Sequence, residues 1–189
     1  LHHAIEAVSI DPLDTRAQRV LAWCYCHKHE FGLAEFHFDQ ALALNRANTL
    51  TMVSAALGFA FADALGRAAA LAAEVRLHQA GQEPFHAIYL AVTDYLSGDF
   101  DRAEAGLAQG TGLMTTVGGW HAAALCKLGR HDAARQRLQT WLDEISPQWR
   151  GAGAVTAPAV LDWFTAIFPL RQDRVRDDLG ATLAALLRE

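Results

Sequence analysis

Cysteine is scarce in this chain, three residues among 189, and Cys24, Cys26 and Cys126 are too few and too unevenly placed to staple a fold. A disulfide scaffold is thereby excluded, and a reducing, cytoplasmic setting is the expectation. Proline is scarce too, five in all, so little stands in the way of long helices. Concentrated positive charge is missing. The net charge is −5, and Arg171, Arg174 and Arg176 alternate with Asp173, Asp177 and Asp178. Without a basic face the chain has no means of holding phosphates, so nucleic acid is not an expected partner. No apolar run is long enough to cross a bilayer. The longest, Met52 to Ala62, stops at Asp63.

What is present is apolar bulk, 52% hydrophobic against 20% charged, the balance of a chain that buries a core. The bulk repeats. Ala22, Ala56, Ala91 and Ala122 follow one another at intervals of 34, 35 and 31 residues, and twelve residues after each comes a second alanine, Ala34, Ala68, Ala103 and Ala134. Seven further on, Ala41, Val75, Gly110 and Trp141 form a third row, with Ala7 standing 34 before Ala41. Between the alanines lie four turn sequences, His29-Glu30-Phe31, Asp63-Ala64-Leu65, Gly98-Asp99-Phe100 and Gly129-Arg130-His131. A period of this length is the signature of stacked supersecondary units. Small residues let two helices approach, and large neighbours fill the gap to the next pair. The pattern predicts helices near 1–10, 15–29, 32–45, 49–63, 66–79, 84–97, 100–113, 117–128 and 131–145. Breaks fall at Asp11-Pro12 and Gln82-Glu83-Pro84.

These residues resemble the tetratricopeptide repeat. Leu21-Ala22, Tyr25, Phe31, Ala34, Phe38, Ala41, Leu44 and Asn48 follow its pattern, as do Leu90-Ala91, Gly98-Asp99-Phe100 and Ala103. The copies at 49–78 and 115–145 are degenerate, with Trp120-His121 in place of the usual packing pair and Arg46 where the family often has proline. The resemblance covers residues 1–145 and implies an all-α fold, a right-handed α-α superhelix of antiparallel helix pairs. It also implies a non-catalytic protein–protein interaction module. Residues 146–157, with Gly151-Ala152-Gly153, read as a linker. Residues 158–189 read as two capping helices of the same domain, Ala159 to Phe168 and Arg171 to Arg188, on apolar spacing at Val175, Leu179, Leu183, Leu186 and Leu187. This tail is similar to the C-terminal end of tetratricopeptide regions in bacterial winged-helix regulators and class III adenylate cyclases. Together with a start at Leu1 inside a repeat, that similarity gives the expectation of a fragment of a larger bacterial protein.

In such arrays the first helix of each pair lines a concave groove. The residues expected to face a partner there are Arg16, Arg19, Trp23, Cys26 and His27, then Val53, Leu57 and Phe61, then Ile88, Val92, Tyr95 and Leu96. The family's chaperone-binding members grip a carboxylate with Lys and Asn at these sites. Arg19, Trp23 and His27 do not reproduce that clamp. The expected partner is a protein or peptide segment of hydrophobic or mixed character, or another domain of the parent chain. The alternative is a homodimer, an oligomerisation segment in which Trp163, Phe164, Phe168 and the last helix bury against a second copy. A further arrangement has the last helix folding back to occupy the groove.

Polar chemistry has few candidates. Cys24, Cys26, His27, His29 and His37 cluster in sequence, but on one helix they spread over several faces, whereas a zinc site needs four convergent ligands. Cys126 with His121 or His131 offers a thiol–base pairing, but nothing in the sequence orients either histidine. Gly110-Thr111-Gly112 and Gly118-Gly119 follow no strand and precede no Lys-Ser or Lys-Thr, so they read as helix punctuation. No catalytic residue, cofactor or metal is assigned.

Overall fold

The computed structural model describes residues 1–78, 83–150 and 153–188, which form α-helices and no strand. Their order is α1 His2–Ile10, α2 Thr15–Cys26, α3 Phe31–Leu44, α4 Thr49–Phe61, α5 Leu65–His78, α6 Pro84–Ser97, α7 Phe100–Gln109, α8 Val117–Lys127, α9 His131–Ile145, α10 Ala157–Ala166 and α11 Asp173–Leu186. A short 3₁₀ turn, Ser146–Gln148, follows α9. Gln82, Gly151, Ala152, Glu189 and the expected helical end at Gln79 lie outside the described residues.

Four positions with φ in the left-handed region set the architecture: His29 (58°), Asp63 (64°), Gly98 (86°) and Gly129 (73°). Each ends the first helix of a hairpin in the same way. The next residue's N–H reaches five residues back, Glu30 to the Tyr25 carbonyl, Ala64 to Phe59, Asp99 to Asp94 and Arg130 to Leu125, at 2.8–3.0 Å. This double-bonded cap satisfies carbonyls that the helix end would leave bare. It also explains why α2 stops at Cys26 although the pattern predicts helix to 29. Helix α7 stops at Gln109 instead of reaching 113, where Gly112 takes φ +85°. Asp14, Asn48, Asp99 and Thr156 cap the starts of α2, α4, α7 and α10 through their side-chain oxygens. The last of these caps moves the start of α10 forward to Ala157, while α11 begins at Asp173 rather than Arg171.

The hairpins α2–α3, α4–α5, α6–α7 and α8–α9 stack in chain order, with α4 also against α2 and α6. All three repeating rows are buried. Ala22, Ala56, Ala91 and Ala122, their partners Ala34, Ala68, Ala103 and Ala134, and the third row Ala41, Val75, Gly110 and Trp141 form the contact lines between helices. Where no alanine serves, glycine does. A methyl group on Gly58 would lie 2.0 Å from Phe38, one on Gly118 2.4 Å from Trp141, and one on Gly119 2.7 Å from Phe164. Gly118 and Gly119 are therefore not punctuation but interior helix positions, kept small so that large rings can lie on the backbone.

Polar side chains tie the outer helices together. Arg67 of α5 pairs with Glu35 and Asp39 of α3, and Arg46 makes a two-pronged contact with Glu74 at 2.8 and 2.5 Å. One pair is buried: Arg76 donates to Asp94 at 2.5 Å, where the aspartate side chain is 8% exposed. Burial pushes the Asp94 carboxyl up to about 6, against the guanidinium's pull.

Two predictions follow from this packing. Gly58→Ala is expected to cost about 2–3 kcal/mol in urea denaturation because Phe38 has no room to yield. Gly32→Ala, which meets nothing within 4 Å, should be neutral or gain a few tenths. Because the folded value for Asp94 lies above the unfolded one, its contribution to stability is full below pH ~4 and is lost as pH rises through about 6. Between pH 4.5 and 7.5, Asp94→Asn should therefore lose less unfolding free energy than wild type, by about 2 kcal/mol. Parallel pH profiles of the two proteins would refute this.

Candidate functional site

The inner face of the stack is not empty. The segment from α10 to α11 returns across it and makes its deepest contacts more than a hundred residues upstream. The Arg171 N–H donates to the Phe61 carbonyl at 2.9 Å, and Gln172 Nε2 donates to Asp63 at 2.9 Å. Phe164 is fully buried between Trp120 and Trp141, with centroids at 5.6 and 4.9 Å, and Phe168 touches Trp120 at 4.9 Å and Phe61 at 6.0 Å. Helix α11 lies on α8 and α9 with Leu179, Leu183 and Leu186 buried, and Lys127 pairs with Asp178 at 2.7 Å. Of the residues that a second copy would use, Phe164 and the α11 leucines are thus enclosed within one chain, and Trp163 and Phe168 are half-buried.

This return corrects the expected groove. Val53, Leu57, Phe61, Ile88, Val92 and Tyr95 are all buried, at 0–6% exposure. They form the floor under the returning segment and the joints between first helices, not a row facing solvent. Cys26 is also buried, its thiol pushed up to about 12 by burial first and Glu35 second. Arg16 faces the α1 side of α2, where it lines a cavity of about 450 Å³ with Leu1, Ala4, Ala7, Val20 and Cys24.

What stays open is a cleft of about 480 Å³ between α2, α6 and the returning segment. Trp23 of α2 and His27 just past its end form one wall, Tyr89 of α6 and Met114 with Thr116 the second, Ile167, Phe168 and Pro169 the third, and Leu57 and Phe61 the floor. Trp23 holds the walls in register, edge-on to Phe38, Phe61 and Tyr89 at 5.5, 6.0 and 6.2 Å. One turn before Trp23 stands Arg19, half-buried beside the Tyr89 ring. Its guanidinium pKa is lowered by desolvation and by Arg16, while Tyr89 raises it. His27, one turn after Trp23, is also lowered, by burial first and His29 second. So of the twelve expected residues four line the cleft, Trp23, His27, Leu57 and Phe61, Arg19 edges it, and the other seven, Leu96 among them, do not line it. Sequence reasoning missed Tyr89, Met114, Thr116, Ile167 and Pro169. The signal for Tyr89 was its i,i+4 spacing from Phe85, whose ring lies tilted against it at 4.9 Å.

The other polar candidates resolve separately. His37 is a structural group: it donates from Nδ1 to Gln18 Oε1 at 2.7 Å while Gln18 donates to the Pro12 carbonyl at 2.8 Å. Among the described residues, ligand atoms converge only at His2, His3 and Glu6, all exposed, and not in the Cys24–His37 cluster. Cys126 Sγ lies 3.8 Å from His131 Nδ1, while His121 turns toward Glu104 at 3.4 Å. A scan against protein-family models finds no match to this chain, and a search of curated proteins finds none either.

The returning segment is predicted to be integral to the fold. Phe168→Ala should cost about 2–3 kcal/mol, less than a fully enclosed phenylalanine, and should widen the cleft. Urea denaturation and binding of an apolar dye together check this. A loss below about 0.5 kcal/mol would mean that the segment is not seated as described.

Proposed function

We propose that this chain is a non-catalytic interaction module, a tetratricopeptide-like right-handed array within a larger cytoplasmic bacterial protein, and that it holds a peptide or an adjoining domain. The identical left-handed caps and the buried alanine rows at the family's spacing support the fold reading. The observation that carries the functional reading is the partly exposed aromatic cleft at Trp23 and Tyr89. Contiguous apolar walls left open to solvent mark a contact site, and the volume falls in the ~300–1,000 Å³ range of pockets that bind ligands. The lining is mostly apolar, with His27, Tyr89 and Thr116 as its polar groups, a composition suited to contact area with a few orienting hydrogen bonds.

Peptide display against the whole chain tests this reading, with Thr116→Trp as the control. Thr116 begins α8 without a side-chain capping bond, so tryptophan there plugs the cleft and removes no contact that the helix needs. Selected peptides should bind wild type and lose at least about tenfold in affinity on Thr116→Trp, about 1.4 kcal/mol. Peptides indifferent to the plug would place the binding surface elsewhere, and no enrichment at all would sink the reading.

A further inference from the structure

The lining of the cleft holds no Asp, Glu, Lys or Arg, and Arg19 stands one turn before Trp23 on α2. Arg19 is drawn into the edge of the aromatic wall, yet it makes no ion pair and no hydrogen bond to a carboxylate among the described residues. Arg46, Arg67, Arg76, Arg102, Arg130, Arg137 and Arg176 find acidic partners, and among the other arginines Arg19 is set apart by its place on the α2 face that carries Trp23. A guanidinium that gives up part of its hydration without a partner costs free energy, and a carboxylate arriving from outside recovers it through a two-pronged, charge-assisted contact. Nothing in the lining competes for that role, since the cleft holds no acidic group, and Tyr89 offers a neutral phenol beside the cation. Arg19, Trp23 and His27 fall on one face of α2 at i, i+4 and i+8. The cationic head and the aromatic pocket therefore lie side by side along the helix.

We propose that the cleft recognises an acidic amphipathic peptide segment, seating one or two bulky apolar side chains between Trp23, Tyr89 and Phe168 and a neighbouring Asp or Glu on Arg19. The proposal rests on the cleft being the binding site and adds the chemistry of the occupant. Apolar burial supplies the affinity, and the carboxylate supplies the choice among apolar segments. A basic segment of equal hydrophobicity is rejected because it would bring a second cation to a half-desolvated Arg19.

The test uses three fluorescein-labelled peptides of about 12 residues with the same Leu-x-x-Phe centre, flanked by Asp and Glu, by Ser and Gly, or by Lys and Arg. Fluorescence anisotropy is read against the whole chain. At low salt the acidic peptide should bind roughly tenfold tighter than the neutral one, with the basic peptide weakest and the gap closing at about 0.5 M salt. Arg19→Ala should bring the acidic and neutral peptides level, and Arg19→Glu should invert the order, each with an unchanged melting temperature. Equal binding of the three peptides, or an acidic preference that survives Arg19→Glu, would overturn the proposal. Display peptides sensitive to Thr116→Trp but without acidic bias would defeat this inference and leave the cleft reading standing. If no peptide binds, both readings fall. Displacement of the acidic peptide by dodecanoate, with no dependence on the peptide's apolar centre, would replace the peptide with a fatty acid and also overturn it.

Discussion

Helix α4 has no polar face, and the rest of the molecule is arranged around that constraint. Every residue from Thr51 to Ala62 is buried, so α4 must be enclosed on all sides, unlike an amphipathic surface helix with one wet stripe. The stack supplies α3 and α5 from the second-helix layer and α2 and α6 from the first. That leaves the inner side, where Leu57 and Phe61 would stand in water in an open groove. The returning C-terminal segment closes it with Phe168 and Leu170 and is held by the Arg171 and Gln172 bonds to the end of α4. The turn at Asp63 thus has two tasks: it takes the left-handed conformation that ends α4, and its carboxylate receives Gln172.

The stack was legible from residues 1–145 because its determinants are local. A cap is written in three or four neighbouring residues, and the alanine rows repeat at a distance that one pair of helices sets. His29 and Asp63 occupy left-handed backbone that glycine takes at the two later turns, and only the register of the period identifies them, since neither side chain advertises that conformation. The interior glycines of α8 were misread for a related reason. A glycine that ends a helix and one that admits a ring look alike in sequence, and only the position of Trp141 and Phe164 separates them. The filling of the groove was foreseen only as the last helix folding back, whereas the connection between α10 and α11 does it and α11 lies on α8 and α9. It depends on contacts between residues 61–63 and 168–172, and no periodicity links segments that far apart. The apolar character of α4 was visible, but it does not say which neighbour covers which side.

Closure of the inner face bears on what the proposed interaction module would hold. An open array could grip a long extended segment along every first helix. Here α6 and α8 are covered over much of their inner surface, with Tyr95 edge-on to Trp120 at 5.1 Å and Trp120 against Phe168. The remaining surface runs along α2 and the start of α6. Contact of that size suits a short anchor with a few well-placed groups, in which a central aromatic pocket dominates the binding energy and the rim sets selectivity.

The third wall of the cleft belongs to the returning segment, and this couples binding to the closure of the fold. Ile167, Phe168 and Pro169 contribute to the cleft only while the segment is docked on α4. A ligand seated against both Trp23 and Phe168 therefore binds the docked state and not the undocked one. It stabilises that state by RT ln(1 + [L]/Kd), about 2.7 kcal/mol at a hundredfold excess over Kd. By reciprocity, whatever loosens the segment weakens the ligand by the same factor. Helix α2 and the α10–α11 segment thus each present a face to the same cleft.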